Sequence, residues 1–383
     1  MAILGGVLLT VLISVFVLTL SCALGWLVAK VSRKLKRKNF ITVIISLAGI
    51  AVYYFFVFKA QTALEALVAN AALYGEKIKG AAYPLYLVGC VGMGDGRAML
   101  LVTLIVAALF ALMWALLAHS FLKLSTATGA SGRAVYRERT LKRQSADAAL
   151  FKKELARFTA SPNYMLNCGL GILLLPVAGV ALVIKGGELL PLLQMAFGNR
   201  GGCVEVLLCT GVCTIAAMND MATPSVSLEG KNLWLAQSLP VTPWQVLRAK
   251  LDMQLLLTGV PLLFCALCAV IVLPGGAAEM ALAVIAALLY TLLSALAALA
   301  LGLKMPNLTW TNEITPIKQG GSVMLALFAN WFYAIALGGL YFLCGRALGA
   351  AAYLAIFAAV TAVVCALLLR WLKRRGTRIF AAL

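Results

Sequence analysis

Nine stretches of the sequence, at about 3–31, 40–58, 98–121, 164–184, 201–222, 251–273, 279–303, 322–343 and 349–371, are apolar almost throughout. Each is close to the roughly 20 residues a helix needs to cross a bilayer's hydrocarbon. In lipid the backbone N–H and C=O groups must bond to one another, so only helices and closed barrels span. Barrel strands alternate apolar and polar residues, and these runs do not. The pattern predicts an all-α polytopic membrane protein with about nine transmembrane helices plus interfacial helices. A soluble fold would have to bury an enormous uncharged core, because 63% of the chain is hydrophobic and only 12% is charged.

The formal net charge of +19 suggests nucleic acid until its placement is considered. One set of alternate connections holds Lys30, Arg33, Lys34, Lys36, Arg37, Lys38, Lys123, the bases of 133–157, Lys231, Arg248, Lys250, Lys304, Lys318, Arg370, Lys373, Arg374, Arg375 and Arg378. The other set has only Lys59, Lys77, Lys79, Arg97, Lys185, Arg200 and Arg346, diluted by acids. That asymmetry is the positive-inside pattern. It predicts a cytoplasmic C-terminus, attraction to anionic membrane lipid and no nucleic-acid partner. Nine spans then put Met1 outside, with no basic leader and no cleavable signal peptide.

Most of the ten Cys lie inside spans, and Cys265-x-x-Cys268 has neither His nor acid beside it. These read as small packing residues rather than a redox or metal site. The glycines at 89, 92, 94 and 96 lack the strand before and the Lys-Ser/Thr after that a phosphate loop requires. They read as a compact outside turn or re-entrant element. G-x-x-x-x-G-K-[ST] is absent from the whole chain. No catalytic residue, bound cofactor or metal ligand set is expected.

The connection 122–163 is the longest on the basic side. Its first part is polar and rich in small residues, and reads as a flexible linker. In its second part Phe151, Leu155 and Phe158 share one helical face, with Lys152, Lys153 and Arg157 largely off it. This predicts a short helix in the membrane interface, with a plain soluble linker as the alternative. Ser161-Pro162 ends the helix, since Pro cannot continue its hydrogen-bond ladder. The chain thereby divides into 1–121 (three spans, the later part of a first half), 122–163 (linker and interfacial elbow helix) and 164–383 (a six-span second half). The first three spans repeat the plan of the last three, which suggests two six-span halves, the first lacking its opening three spans.

The second half carries "SVSLEGKNLWLAQSLPVTPWQVLRAK" at 225–250, polar between two apolar runs. It reads as two short helices. Ser227 caps the first, with Glu229 near its positive end and Leu228, Leu235 and Leu239 on one face. Pro240 stops it. Thr242-Pro243-Trp244-Gln245 is a capping box with Pro at the first helical position, and that helix runs on into the next span. Trp244, Arg248 and Lys250 are expected at headgroup depth. A flat helix joined rigidly to a span can pass force to it. The residues alone equally allow an ordinary interfacial helix with no partner.

"SLEGKNLWLAQSLPVTPWQVLRAK" resembles the cytoplasmic segment of ATP-binding-cassette exporter permeases of the type-2 class, in particular the large two-half permeases of Gram-positive bacteria. "LFKKELARFTASPNYMLN" (150–167) resembles the elbow opening their second half, and "PNLTWTNEITPIKQ" (306–319) their later cytoplasmic hairpin. The motifs stand in the family's order, and the resemblance covers essentially the whole chain. The resemblance implies a permease subunit in the bacterial cytoplasmic membrane, paired with a separate ATPase that binds ATP and Mg, and a second permease chain as a candidate partner. It implies a coupling segment of Ser227, Glu229, Gly230, Lys231, Trp234, Ser238, Leu239 and Pro240. Trp310, Thr311, Asn312 and Glu313 form a second cytoplasmic motif. Phe151, Lys152, Lys153, Glu154, Leu155, Phe158, Ser161 and Pro162 form the elbow. The chain departs from the family in beginning at what resembles its fourth span, with one coupling segment where the family has two.

An ion-coupled secondary transporter is the alternative, and it needs ionisable groups inside the bilayer. Glu205, Asp220, Asp252 and the lone His119 all fall within a turn or two of a span end. Asn167, Gln254 and Asn330 read either as interhelical hydrogen-bonding groups or as pathway residues. A membrane-embedded hydrolase, the third reading, would need clustered His or acids, or a Ser elbow near His119.

Overall fold

The computed structural model describes residues 2–32, 38–69, 83–125, 144–197, 202–272 and 276–383. The bases of 33–37, the outer segment 70–82, most of the 122–145 linker and Arg200 lie outside the described residues. Among those described, every regular element is helical. Eight stretches are long and apolar enough to cross a membrane: Ile3–Val28, Thr42–Ala60, Gly96–Ser120, Leu170–Leu189, Pro243–Val272, Ala277–Lys304, Gly321–Leu343 and Ala350–Ala382. The chain is an all-α polytopic membrane protein.

The chain forms two compact units, Met1–Thr140 and Leu141–Leu383. The first contains α1 (Ala2–Ser32), α2 (Lys38–Ala69), α3 (Tyr83–Met93) and α4 (Gly96–Ser125). Helices α1, α3 and α4 pack around Leu12, Val91, Ala98, Val102 and Val106. The glycine-rich stretch is therefore a helical hairpin: α3 ends in a turn at Gly94, and Asp95 Oδ1 accepts from the Arg97 N–H at 3.0 Å.

The second unit begins with α5 (Ala146–Ala160), α6 (Pro162–Cys168), α7 (Leu170–Phe197) and α8 (Cys203–Ala216). Next come the short α9 (Ala222–Ser227) and α10 (Leu233–Ser238), then α11 (Pro243–Val272), α12 (Ala277–Lys304), α13 (Gly321–Leu340), α14 (Ala350–Trp371) and α15 (Thr377–Ala382). Helix α12 is central and packs against α8, α9, α11, α13 and α14. Its buried side is mostly small: Ala283, Ala286, Ala287, Ala295, Ala298 and Gly302. Lipid gives apolar helices no hydrophobic reason to associate, so close backbone approach and van der Waals contact hold them, and small residues permit that approach. Helices α7 and α11 meet the same way, with Gly179 lying against Cys265 and Cys268. The C-x-x-C pair thus packs a helix seam.

Two expected spans are corrected. The run 201–222 is not one helix: α8 has 14 residues, about 21 Å at 1.5 Å per residue, and the chain then breaks before α9. Asp220 causes part of the break, because its Oδ1 accepts from the Thr223 hydroxyl at 2.6 Å and the Thr223 N–H at 3.4 Å. Pro224 supplies no N–H to continue a ladder. The run 164–184 is also divided, at Gly169 between α6 and α7, and α7 continues to Phe197.

At the α9–α12 crossing, a Cβ added to Gly302 would lie 2.3 Å from the Thr223 carbonyl oxygen. Backbone cannot yield as a side chain does. Gly302→Ala is expected to destabilise by about 1–2 kcal/mol, read as a lowered Tm of the detergent-solubilised chain. An unchanged Tm would show that the two helices do not meet at this distance.

Candidate functional site

The second unit gathers α5, the 217–242 segment and the 305–320 hairpin around the N-terminal turns of α11. Helix α5 starts at an N-cap, where Ser145 Oγ accepts from the Ala148 N–H at 3.3 Å. Its buried line is Leu150, Glu154 and Phe158, whereas Phe151 and Leu155 are half-buried and Lys152 is exposed. This corrects the expected interfacial face. The helix docks through a charged row, and Lys153 and Arg157 belong to that contact.

The centre of the contact is Lys250, in the second turn of α11 and fully buried. Its Nζ donates to Glu154 Oε1 at 2.9 Å, Glu229 Oε1 at 2.9 Å and the Ser225 carbonyl at 3.1 Å. Glu229 also accepts from Lys153 Nζ at 2.9 Å and from Arg157 Nη2 at 2.7 Å. Three cations and two carboxylates thereby tie an elbow helix, an inter-span segment and the root of a span into one cluster. Burial pushes the Glu229 carboxyl up, but Lys250, Arg157 and Lys153 together outweigh it and hold the group well below the usual carboxylate range. The Arg157 guanidinium loses by burial and gains more from Glu229 and Glu154, so its pKa is raised. Lys250 does not face outward as an anchoring base: of the two bases only Arg248 is exposed, and it pairs with Asp252 at 3.4 Å.

Ser227 is corrected as well. It is the last residue of α9, not an N-cap. Its hydroxyl accepts from the Asn307 N–H at 3.0 Å, and its carbonyl accepts from the Trp310 indole at 2.6 Å. Gly230 next to it has φ +53°, and a Cβ there would meet the Trp310 ring at 3.3 Å. The residue is Gly for both reasons. Ser227, Gly230 and Trp310 therefore form one clasp between the two polar segments. Thr311, Asn312 and Glu313 stay outside it. Asn312 closes a local turn, accepting from the Ile314 and Thr315 N–H groups, each at 3.0 Å.

The remaining residues of 227–240 turn outward. Leu233 and Ala236 bury one side of α10, which leaves Trp234, Leu235 and Leu239 exposed at 60%, 49% and 45%. The expected common face of Leu228, Leu235 and Leu239 does not form, since Leu228 is buried elsewhere. Lys231, Ser238 and Pro240 are exposed, and the Ser238 hydroxyl donates locally to the Leu235 carbonyl. The capping box is present: Thr242 Oγ1 accepts from the Gln245 N–H at 3.3 Å, and Gln245 Oε1 accepts from the Thr242 N–H at 2.9 Å. From Pro243 the helix runs unbroken to Val272.

Ser161 and Pro162 perform the predicted turn. Ser161 Oγ caps α6 through the Tyr164 N–H at 3.2 Å, and Pro162 opens the helix. Phe158 packs edge-on against Tyr164, whose hydroxyl donates to the Met221 carbonyl at 2.6 Å. Gln254 is the interhelical bridge. It accepts from the Ala222 N–H at 2.7 Å and donates to the Asn219 carbonyl at 3.0 Å. Asn167 donates to the Asn163 carbonyl at 2.8 Å within its own helix. Asn330 is buried, and its side-chain Nδ2 has no partner among the described residues. Glu205 is buried in the first turn of α8, and His119 is exposed near the end of α4. Gln237 was not anticipated: it donates to the Phe380 carbonyl at 2.9 Å and fixes α15 against α10.

No curated protein and no solved structure matches the chain. A family model described as "Membrane protein of 12 TMs" matches residues 1–372, nearly the full length. Together with its helices and spans, that match places the chain in this family of twelve-span membrane proteins.

Proposed function

We propose that the chain is the membrane-spanning permease subunit of an ATP-driven exporter of the ATP-binding-cassette type-2 class. The carrying observation is mechanical. An exposed aromatic and apolar surface on α10 is tied through Glu229 and Lys250 to a helix continuous from Pro243 into the bilayer. A load on α10 is transmitted, because the intervening segment is clasped by Trp310 and the ion cluster instead of hanging as a loop. The resemblance of 150–167, 225–250 and 306–319 to such permeases supplies the partner. A separate ATPase binds ATP and Mg, closes on hydrolysis-competent nucleotide and pushes α10. The end of the bundle bearing α5, α10 and α15 is then cytoplasmic, in keeping with the basic connections, in a bacterial cell membrane. The chain performs no bond chemistry, and a second permease chain can complete the pathway.

Trp234→Ala tests this. Its side chain is exposed, so folding is expected to be unchanged, while affinity for the partner ATPase falls about tenfold, as for a central aromatic anchor. Co-purification and transport-coupled ATP hydrolysis measure it. Full retention of both would overturn the assignment.

A further inference from the structure

We infer that the seam between α12 and α14 is a binding site for an anionic phospholipid, separate from the ion cluster and from the exposed side of α10. The two helices are parallel neighbours; α12 ends at Lys304, and Trp371 stands where α14 passes through a π turn, Leu372–Gly376, into α15. The Lys304 ammonium stands 5.2 Å from the centroid of the Trp371 ring. Below this pair lies a groove of about 500 Å³, walled by Ala297, Ala300 and Leu301 on one side and Leu367 and Leu368 on the other. Two alanines facing leucines leave the space, and Leu367 at the edge is exposed. The walls are hydrocarbon and the mouth is a cation beside an indole, the arrangement of a lipid acyl chain and its headgroup.

Charge selects the headgroup. Lys304, Arg370, Arg374 and Arg375 have no carboxylate within 4 Å among the described residues. Arg370 precedes Trp371, and Arg374 stands about one turn beyond it. The negative end of the α12 dipole accounts for some cation preference here, but not for an apolar groove beneath it. A zwitterionic lipid brings an ammonium that these bases repel, whereas an anionic one brings only the phosphate charge they lack.

The test uses the full chain reconstituted in vesicles of phosphatidylcholine with brominated phosphatidylglycerol, or with brominated phosphatidylcholine as the control. Bromine on the acyl chain quenches nearby indole fluorescence. The chain has seven Trp, and subtracting the signal of Trp371→Phe isolates Trp371. Quenching of Trp371 is expected at about fivefold lower mole fraction of the anionic lipid. Lys304→Gln is expected to remove most of that preference, the effect of one base near an anionic surface. Ala300→Leu fills the groove and is expected to reduce quenching by both lipids. Arg374→Gln provides a second headgroup variant should Lys304→Gln not fold. Equal quenching by the two lipids in the wild type would overturn the site, as would a preference unchanged in both headgroup variants or undiminished quenching in Ala300→Leu. Absence of Trp371 quenching would also overturn it, showing that protein covers the seam.

Discussion

Lys250→Met is expected to destabilise the folded chain by about 3–5 kcal/mol, the cost of stranding a buried charge network by removing one member. Lys250 is fully buried, and Glu154 and Glu229 both point at its Nζ from 2.9 Å. Lys153 and Arg157 remain in the variant, but they are 36% and 25% exposed and reach mainly Glu229. Glu154 is then buried with cations only at 3.5 and 3.9 Å. Lys250→Met combined with Glu154→Gln removes one charge of each sign, so it is expected to recover at least half of the loss. Thermal unfolding of the solubilised full chain measures both. Losses that simply add would mean the two side chains do not share a network. The acid response has a definite sign. Glu229 is held below its ordinary value of 4.5, so its contribution is complete above that pH and is lost only as pH falls toward the folded value. Without Lys250, Glu229 loses its largest attraction, and the loss moves up toward neutral pH.

The spans and the caps were the legible part of this sequence, because each depends on local pattern. Apolar runs located eight membrane-crossing helices, and Thr242-Pro243-Trp244-Gln245 located the start of α11 by its own hydrogen-bonding chemistry. Apolar length alone misled at 201–222, where Asp220 bonds locally to Thr223 and the backbone of Asn219, Met221 and Ala222 turns to Gln254 and Tyr164. The ion cluster was half legible. Glu229, Glu154, Lys153 and Arg157 stood in the motifs, yet their joining depends on a contact 76 residues apart in sequence for Lys153 and Glu229. One signal was present in the pattern. Lys250 and Gln254 fall on the buried side of α11 with Val246, Leu247 and Met253, a base and an amide on an apolar line, where each needs a buried partner.

Trp310 teaches a related point. Only its position in a polar hairpin was readable, because the carbonyl it binds belongs to Ser227 in another segment, and Gly230 is its platform. The hairpin and the α9–α10 segment are consequently tied together at Ser227. Under the proposed role, a load applied to either would reach α11 through the contacts of Lys250 with Glu229 and the Ser225 carbonyl.

Asp220→Asn is expected to stabilise the protein at pH 7 by about 2–3 kcal/mol and to flatten its pH dependence between about pH 4 and 7. Asp220 lies in the break beyond α8, outside the candidate spans, and is 4% exposed. Its Oδ1 is used by Thr223, but its Oδ2 has no partner among the described residues. Burial raises its carboxyl from 3.8 to about 6, against the opposing pull of the two Thr223 hydrogen bonds. A folded value above the unfolded one means the charged form is penalised in the native state. Stability is therefore greatest below about pH 4, falls as pH rises toward 6 and is level beyond it. Two pKa units correspond to nearly 3 kcal/mol. Asn keeps an oxygen for Thr223 and carries no charge, so the penalty disappears while the helix break is retained. Burial, with a smaller contribution from the Asp220 charge, raises Tyr164 and Cys168 well above their ordinary values, so both stay neutral throughout this window. Glu229 titrates below it. Comparing Tm at pH 4.5 and pH 7.5 in wild type and variant thus isolates one carboxyl. A wild-type Tm no lower at pH 7.5 than at 4.5, or a variant with the same slope as wild type, would mean Asp220 ionises normally and that water reaches the break between α8 and α9.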